Sequence, residues 1–523
     1  MQSGGQSNQY AATQRADLAV PVDNLARFER VAFIVAVVCA CAMMWLVERL
    51  PMVDLPQHAA QVSLWRDLLL GNSPWVDLVR INLVTPYLIG YGTMLPLSFI
   101  FSMETSTRLV VTLAFLAFVW ACVALRREFG SDRRLDWLFI LSFFGFCWKW
   151  GFMTFLVASP VGLLVILLAL RHSREPTLKR ALALVAGGTL LLFSHGLVYL
   201  GLMFIAGLIM LESVWTHKTR DIFARMAPYV VMGAITLAFR IISQKMEGGL
   251  HADGYFYGTP LWRRPTILLA DITDINDENG SILLMVLTGL ILLAPLFYGM
   301  RLNTRSALVP VLGLLLIVCV APADAFQTGG LYYRFALFIP PFIAFAFVPN
   351  PNAAKASLRA YAALAVITVC SVWVLVIQAS RIVAFGEETK PFQAILDAMQ
   401  PNKRVLAMVM QGDSIGAQNT NAYWHYPVWY QADKHGFVDF NFALFPPQVI
   451  RFKLDRKEGE NEEVDLRPGQ NKMWTKGFVE QFTYFIIKSD PPMTQGVQAQ
   501  SPCPLNIKLQ VEDWVLLERG ACP

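Results

Sequence analysis

Two side chains able to hold a charge or a proton follow the first apolar stretch of the chain. Asp54 and His58 lie within residues 53–58, directly after the apolar run 31–50. No opposite charge is adjacent to Asp54 in the sequence, and a carboxylate at a membrane surface is costly unless it is solvated, paired or used. If the segment is helical, His58 lies one turn after Asp54. The alternative interpretation is a helix-capping aspartate and a surface histidine.

Three basic side chains occur at expected turns between later apolar segments. Lys149 lies between two tryptophans, Arg334 follows two glycines, and His195 precedes a glycine that permits close approach. Two of these have an ordinary structural interpretation as well. A lysine between tryptophans is typical of a side chain that extends to the membrane interface. A histidine at a turn can be a satisfied buried residue.

The polar loop 244–280 contains further side chains that suit contact with a substrate. Asp253, Tyr255, Tyr257 and Arg263 lie in its first half and predict a lid over a site.

The second half of this loop is acidic, with side chains whose oxygens suit a divalent cation: Asp271, Asp274, Asp277 and Glu278. Their spacing matches no EF-hand, which favours a solvated acidic turn. The chain has no CxxC or HExxH pattern, so nothing in the sequence indicates a zinc site. We therefore expect no cofactor.

The elements that must position these residues are mostly membrane helices. Of 523 residues, 55% are hydrophobic and 15% are charged, and the mean hydropathy is +0.46. This composition predicts a polytopic membrane protein and excludes a soluble enzyme. The net charge of +5 is spread over short loops, so no nucleic-acid partner is indicated. Residues 1–26 have no cleavable signal pattern and are predicted to form a disordered cytoplasmic tail.

The positions of the positive charges predict the topology of the membrane domain, residues 27–380. Five short basic loops would all face the cytoplasm if an even number of spans separates each pair: 126–134, 171–180, 216–225, 299–306 and 349–359. This arrangement gives about 11 transmembrane helices. It requires residues 87–101, which are short and broken by prolines and glycines, to be re-entrant or to lie on the surface.

The first outer loop then covers residues 50–106. Within it, residues 59–70 place Val62, Trp65 and Leu68 on one face, which predicts an amphipathic helix in the plane of the interface.

The composition becomes polar after Arg381, and residues 381–523 are predicted to form an extracytoplasmic α/β domain. A helix is expected at residues 391–399, and strands are expected at residues 404–410, 482–488 and 514–518. If this domain is extracytoplasmic, a disulfide between Cys503 and Cys522 is expected.

His425 belongs to an aromatic cluster in this domain, which also contains Tyr423, Trp424, Tyr426, Trp429 and Tyr430. Aromatic rings stack on sugars, but they also pack where a soluble domain meets a membrane, and packing is the interpretation we favour. His425 is included among the side chains that would contact an acceptor.

The order of these features resembles the GT-C superfamily of glycosyltransferases, which includes protein O-mannosyltransferases and the aminoarabinose transferase of lipid A. The matching stretch is the first outer loop, from Asp54 through Gly71 to Pro86 and Tyr87. The family often has a second acidic residue beside the first, whereas Leu55 follows Asp54 here. No subfamily is indicated.

The resemblance implies a multi-pass enzyme of the bacterial inner membrane with a periplasmic C-terminal domain. Its donor would be a sugar on a polyprenyl phosphate, and its acceptor a lipid or glycan at the outer surface. Inverting transfer requires a base, and Asp54 has that position in the motif, with His58 orienting it or touching the donor. The departing phosphate requires cations or hydrogen-bond donors, for which Arg334, Lys149 and His195 are the candidates.

Three other functions remain open from the sequence. A transporter usually has repeated halves and polar residues at the membrane midplane, whereas the unusual polar residues here gather at one face. A non-catalytic GT-C-like assembly subunit would not need Asp54. A polymerase or ligase of lipid-linked glycans would share the membrane location, and a soluble nucleotide-sugar enzyme is disfavoured because no GxGxxG loop is present.

Overall fold

A computed structural model of the chain describes residues 22–217, 221–247, 255–273, 281–325, 328–350, 358–453 and 474–523. Residues 1–21 of the predicted tail lie outside this part of the chain, as do Asp253, Asp274, Asp277 and Glu278. The first helix begins at Val22, before the predicted boundary at residue 27.

Residues 22–130 form the first helix, the loop that follows it and the second long helix. The helices of this region are α1 (Val22–Met43), α2 (Leu55–Leu69), α3 (Leu88–Gly92), α4 (Leu95–Ser98) and α5 (Met103–Phe129). Helices α3 and α4 are too short to cross a bilayer, as predicted for residues 87–101. Helix α5 has a clear start and stop, since Ser102 Oγ accepts from the Thr105 N–H and Gly130 ends it with φ +68°.

Among the described residues, the central part of the chain is mainly helical and contains one short pair of antiparallel strands. Its helices are α6 (Trp137–Phe143), α7 (Phe146–Lys149), α8 (Met153–Arg174), α9 (Leu178–Ser194), α10 (Gly196–His217), α11 (Ile222–Glu247), α12 (Arg264–Asp271), α13 (Ser281–Leu292), α14 (Ala294–Phe297), α15 (Arg305–Val320), α16 (Ile339–Phe345) and α17 (Leu358–Glu388). Short 3-10 helices occupy Arg133–Leu135, Leu261–Arg263 and Tyr333–Phe338.

Among the described residues, five helices are long and apolar enough to cross a membrane, namely α5, α8, α10, α11 and the helix that contains residues 365–388. Shorter apolar helices lie at Arg305–Val320 and Tyr333–Phe345. The number of about 11 transmembrane helices stays a prediction, because α6 and α16 have only 7 residues each and are too short to cross a bilayer. The predicted fold class, a polytopic helical protein with a C-terminal α/β domain, is confirmed.

The described parts of the five basic loops lie at one end of the helical domain. Contacts join them there: Arg171 Nε donates to Glu128 at 2.9 Å, Asn303 Nδ2 donates to the Phe129 carbonyl at 3.0 Å, Arg225 Nη1 donates to Ser213 Oγ at 2.9 Å, and strand β2 (Arg301–Leu302) pairs with β3 (Phe347–Val348). The first loop and the C-terminal domain meet at the opposite end, where β1 (Val79–Ile81) pairs with β6 (Ile450–Phe452).

The C-terminal domain is a mixed sheet covered by short helices. Its five strands have the order β5 (Phe437–Asp439), β4 (Arg404–Val409), β7 (Tyr484–Lys488), β9 (Trp514–Arg519), β8 (Leu505–Val511), with β4 parallel to both neighbours and the last three antiparallel. Its helices are α18 (Lys390–Asp397), α19 (Trp429–Lys434), α20 (Lys476–Val479) and α21 (Pro491–Gln500), with 3-10 turns at Tyr426–Val428 and Phe442–Leu444.

The sequence patterns located α18, β4, β7 and β9, whereas β5, β6 and β8 were not predicted. Cys503 and Cys522 are joined by a disulfide, as predicted.

Helix α2 differs from its predicted environment. It begins at Leu55, and 12 of its 15 residues are buried, so its apolar face is covered by protein and not exposed to a membrane interface. It packs against α19, and Ser63 Oγ donates to the Ala432 carbonyl at 3.0 Å. The apolar face that suggested an interfacial helix is therefore covered by the C-terminal domain.

Candidate functional site

A cavity of about 800 Å³ lies between the first loop, the outer ends of the helices and the C-terminal domain. It gathers five of the ten residues predicted from the sequence to act in the site: Asp54, His58, His195, Arg334 and His425. The remaining five are Lys149, Tyr255, Tyr257 and Arg263, which do not line the cavity, and Asp253, which lies outside the described residues.

The backbone around Asp54 is held by the turn that follows α7. The Val53 N–H donates to the Lys149 carbonyl at 3.1 Å, and the Asp54 N–H donates to the Trp150 carbonyl at 2.9 Å. Gly151 has φ +72°, and a Cβ at this position would lie 2.9 Å from the backbone nitrogens of Asp54 and Leu55. Only glycine therefore lets the two segments approach this closely.

Asp54 occupies the N-cap position of α2, but its carboxylate does not cap the helix. The carboxylate instead faces the cavity, where its Oδ1 lies 3.5 Å from His425 Nε2. Burial raises the pKa of Asp54 to about 7, and the neighbouring Arg334 guanidinium opposes this increase. The side chain can therefore exchange a proton near neutral pH.

His58 lies one turn further along α2 and has a defined tautomer. Its Nδ1 lies 2.8 Å from the Tyr91 hydroxyl, and that hydroxyl donates to Gln448 Oε1. Because the single hydroxyl proton is used on Gln448, the hydroxyl must accept from His58 Nδ1–H. Burial, followed by nearby Arg334 and His425, lowers the pKa of His58 to about 3, so the ring is neutral.

The other ring nitrogen of His58 is consequently a bare acceptor. Within the described part of the chain, Nε2 is buried without a hydrogen-bond partner. His58 is one of the residues that line the cavity, and a hydroxyl or N–H of a bound molecule that reached Nε2 would satisfy it. The histidine in contact with Asp54 is His425, from the C-terminal domain.

Arg334 brings a positive charge to the same cavity. Its guanidinium donates from Nη2 to the Gly329 carbonyl at 2.7 Å and lies 3.6 Å from the centre of the Phe152 ring. Its side chain is 6% exposed, and among the described residues no carboxylate oxygen lies within 4.0 Å of the guanidinium and Nε has no partner.

A buried guanidinium with so few acceptors is unusual within this structure. Arg264, also buried, donates to four backbone carbonyls, those of Tyr257, Thr259, Val318 and Ala321. Burial of an unneutralised charge is costly, and an anion placed in the cavity beside Arg334 would remove this cost. The cavity is thus suited to a phosphate or another anion.

Of the other two phosphate-binding candidates, His195 lines the cavity and Lys149 does not. His195 follows α9, its ring centre lies 4.8 Å from that of Tyr87, and its Nδ1 accepts from the Leu197 N–H at 3.2 Å. In the neutral ring the proton is then on Nε2, which makes His195 a donor at the cavity wall. Lys149 is half-buried and contributes its backbone carbonyl to the segment that holds Asp54.

The described residues among those predicted to form a lid, Tyr255, Tyr257 and Arg263, do not line the cavity. Phe256 pairs antiparallel with Asp324, which lines the cavity. Tyr255 is exposed, and the Arg263 guanidinium lies over the Trp262 ring. Among the described residues, no group of three or more histidine, cysteine or acidic side chains is arranged to hold a metal ion.

The aromatic cluster of the C-terminal domain divides into two parts. Tyr423, Tyr426, Trp429 and Tyr430 are buried in the core, whereas Trp424 and His425 line the cavity. The packing interpretation therefore applies to most of the cluster.

Several cavity residues were not predicted. Phenylalanines of the C-terminal domain form an apolar wall: Phe440, Phe442, Phe445, Phe452, Phe478 and Phe482. Gln448 lines the cavity beside them, and Tyr91 and Gln57 lie behind it. The closely spaced phenylalanines in 440–445 were the available signal for this wall. Nothing local indicated Gln57 or Gln448, because their partners lie in distant segments.

The sequence matches no protein-family model, and no curated protein is significantly similar to it in sequence. Its structure is similar to the crystal structure of ArnT from Cupriavidus metallidurans in the apo state, with a TM-score of 0.54. The similarity covers 94% of this chain and 98% of that chain at 14% sequence identity. At this identity the likeness shows a shared fold and nothing further.

Proposed function

We propose that the protein is a membrane glycosyltransferase that moves a sugar from a polyprenyl-phosphate donor to a lipid or glycan acceptor at the outer face of the cytoplasmic membrane. One observation carries the proposal: the uncapped carboxylate of Asp54 and the unneutralised guanidinium of Arg334 line the same cavity. The GT-C fold, shared with ArnT, supports it independently.

The two groups suit the two ends of an inverting transfer. An acceptor hydroxyl would attack the anomeric carbon from the side of Asp54, which takes its proton as the new C–O bond forms. The bond between the anomeric carbon and the phosphate oxygen would break with its electron pair on the phosphate. Arg334, with Nε2–H of His195 nearby in the cavity wall, would stabilise the charge that develops there.

The surroundings of these groups suit a lipid-linked sugar. Trp150, Phe152 and Trp424 line the cavity and offer aromatic faces to a sugar ring. The phenylalanine wall offers an apolar surface to an acceptor or to a prenyl chain. The disulfide between Cys503 and Cys522 favours a periplasmic location for the C-terminal domain, because disulfides persist in oxidising compartments.

The test is transfer of labelled sugar by the purified protein from a bacterial lipid extract loaded with polyprenyl-phosphate sugars. We expect Asp54→Asn to reduce the rate by about 10²–10⁴-fold, the usual effect of losing a general base. Asp77→Asn is the matched control, since Asp77 is an exposed carboxylate of the same loop. Unchanged transfer by Asp54→Asn would rule out the mechanism.

The alternatives give different results in the same preparation. Binding of the lipid-linked sugar without any transfer by the wild type would favour a non-catalytic assembly subunit. Movement of the labelled lipid or sugar across proteoliposome membranes, without transfer, would favour a transporter.

A further inference from the structure

Gln57 lies between the first loop and the C-terminal domain, and its amide orientation is fixed by two backbone groups. Its Oε1 accepts from the Phe442 N–H at 3.1 Å, and its Nε2 donates to the Phe440 carbonyl at 3.1 Å. A backbone N–H only donates and a carbonyl only accepts, so the amide cannot be reversed without losing both bonds. The side chain is fully buried.

This orientation determines the tautomer of His425. Gln57 Nε2 also lies 3.5 Å from His425 Nδ1, and because Nε2 is an NH₂ group, Nδ1 must be the acceptor. Burial lowers the pKa of His425 to about 4, so the ring is neutral. Its single proton is then on Nε2, the nitrogen that lies 3.5 Å from Asp54 Oδ1.

We propose that Gln57 is a positioning residue that fixes the tautomer of His425, so that His425 presents Nε2–H to one oxygen of Asp54 and leaves the other for the acceptor proton. His425 Nε2 is at ion-pair distance from the carboxylate, and in the described part of the chain no side chain makes a recorded hydrogen bond to it. The tautomer follows from the contacts alone, whereas the role in orienting a base rests on the proposed function.

The arrangement links catalysis to the docking of two domains. Gln57 and Asp54 belong to the first loop, and His425, Phe440 and Phe442 belong to the C-terminal domain. Asn441 holds the 440–442 segment in place, since its Nδ2 donates to Gln431 Oε1 at 2.6 Å and its Oδ1 accepts from the Ala443 N–H. Separation of the domains would remove the hydrogen-bond donor from the base.

The tautomer can be measured without any substrate. The full-length protein, labelled with ¹⁵N-histidine and held in nanodiscs, gives nitrogen shifts that distinguish a protonated from a bare ring nitrogen, and the His425 signals are assigned by their loss in His425→Gln. We expect Nε2 protonated and Nδ1 bare in the wild type. In Gln57→Glu, whose carboxylate accepts, we expect the proton on Nδ1.

Gln61→Glu is the matched control for a new acid on α2. Gln61 lies one turn further on and is buried, and its Oε1 accepts from the Ile450 N–H at 2.8 Å. It should leave the His425 shifts unchanged. A wild-type His425 protonated on Nδ1, or a Gln57→Glu protein with Nδ1 still bare, would overturn the proposal. If Gln57→Glu does not fold, the wild-type spectrum alone decides.

The second readout is the pH dependence of kcat/KM for sugar transfer. The titratable and charged groups that face Asp54 are Arg334, His425, Tyr87, Tyr91 and His58. Loss of the N–H donor from His425 destabilises the ionised form of Asp54. His425→Phe should therefore shift the acidic limb of the pH profile of kcat/KM upward by about one pH unit. His425→Gln, which retains an N–H near the Nε2 position, should restore it.

Equal acid limbs for the wild type and His425→Phe would show that His425 does not orient the base. This result is distinguishable from failure of the proposed function. Absence of any transfer activity in the wild type would contradict the proposed enzymatic function, while the ¹⁵N spectra would still test the tautomer of His425.

Discussion

Oδ1 of Asp54 lies 3.5 Å from Nε2 of His425, although Asp54 follows the first helix and His425 belongs to the C-terminal domain. The contact places the candidate base at the junction of these two parts of the chain. The same junction contains the β1–β6 pair and the buried face of α2. The chemistry of Asp54 therefore depends on how the two parts are joined.

Arg334 is expected to bind the donor phosphate. Arg334→Lys keeps the charge but loses the two-pronged donor, and Arg334→Ala loses both. Loss of a hydrogen bond to a charged group costs about 1.5–3 kcal/mol, which corresponds to a roughly 10- to 100-fold weaker Kd. Titration of a polyprenyl-phosphate sugar measured by tryptophan fluorescence checks this. If Arg334→Ala binds as tightly as the wild type, the phosphate site lies elsewhere and Lys149 is the next candidate.

His58 is expected to accept a hydrogen bond from substrate through Nε2. His58→Asn retains an N–H near the Nδ1 position for Tyr91 but has no acceptor near Nε2, and His58→Gln has the opposite properties. We expect transfer to fall by about 5- to 10-fold or more in His58→Asn, in line with a net hydrogen bond of about 1 kcal/mol or more. His58→Gln should retain more activity. The reverse order in steady-state kinetics would assign His58 a structural role through Tyr91.

Gly151 is expected to control the position of Asp54 without contributing a side chain. Gly151→Ala places a Cβ 2.9 Å from the Asp54 and Leu55 nitrogens, so the backbone must shift. Gly71→Ala is a close control, because Gly71 has φ +69° but no atom within 4 Å of the added Cβ. Both variants should lose stability from backbone strain, Gly151→Ala more because its Cβ also meets backbone atoms, and only Gly151→Ala should lose most of its transfer activity. Equal transfer activities of the two variants would show that the close contact at Gly151 is not required for catalysis.

The raised pKa of Asp54 predicts how stability changes with pH. The pKa of the Asp54 carboxyl group rises from about 4 to about 7 on folding. Its contribution to the free energy of unfolding is therefore fully present below about pH 4 and is lost as the pH rises from 4 through 7. The lowered pKa values of His58 and His425 act in the opposite direction. The Tm of Asp54→Asn minus the Tm of the wild type reports the contribution of Asp54 alone. This difference should become more positive between pH 4 and pH 7. A constant difference would contradict a raised pKa.

The orientation of the chain is tested by cysteine labelling. Gln510 is exposed in the C-terminal domain, and Lys179 is exposed at the basic end. Gln510→Cys should react with a membrane-impermeant thiol reagent in intact spheroplasts, and Lys179→Cys should react only after lysis. Ser489 is buried and is not suited to this experiment. The opposite pattern would place the C-terminal domain in the cytoplasm.

The sequence by itself determined the membrane class, the presence of a C-terminal α/β domain, and the choice of Asp54, His58, His195, Arg334 and His425 as residues of interest. These properties are local, because apolar length, charge at loops and unusual polar residues are visible within short windows. The same locality explains the wrong environment predicted for α2. Its pattern shows an apolar face, but what covers that face is decided by a distant segment.

Only the tertiary structure decided which polar groups meet. Gln57 and Phe442, His58 and Tyr91, and Asp54 and His425 are pairs formed across the fold, and no spacing along the chain indicates them. The tautomers of both histidines follow from these contacts, since each proton is assigned by the partner that accepts or donates it. Among the described residues, Arg334 has no carboxylate oxygen within 4.0 Å, and this too is a property of the packed cavity, because only folding decides which charges lie near each other.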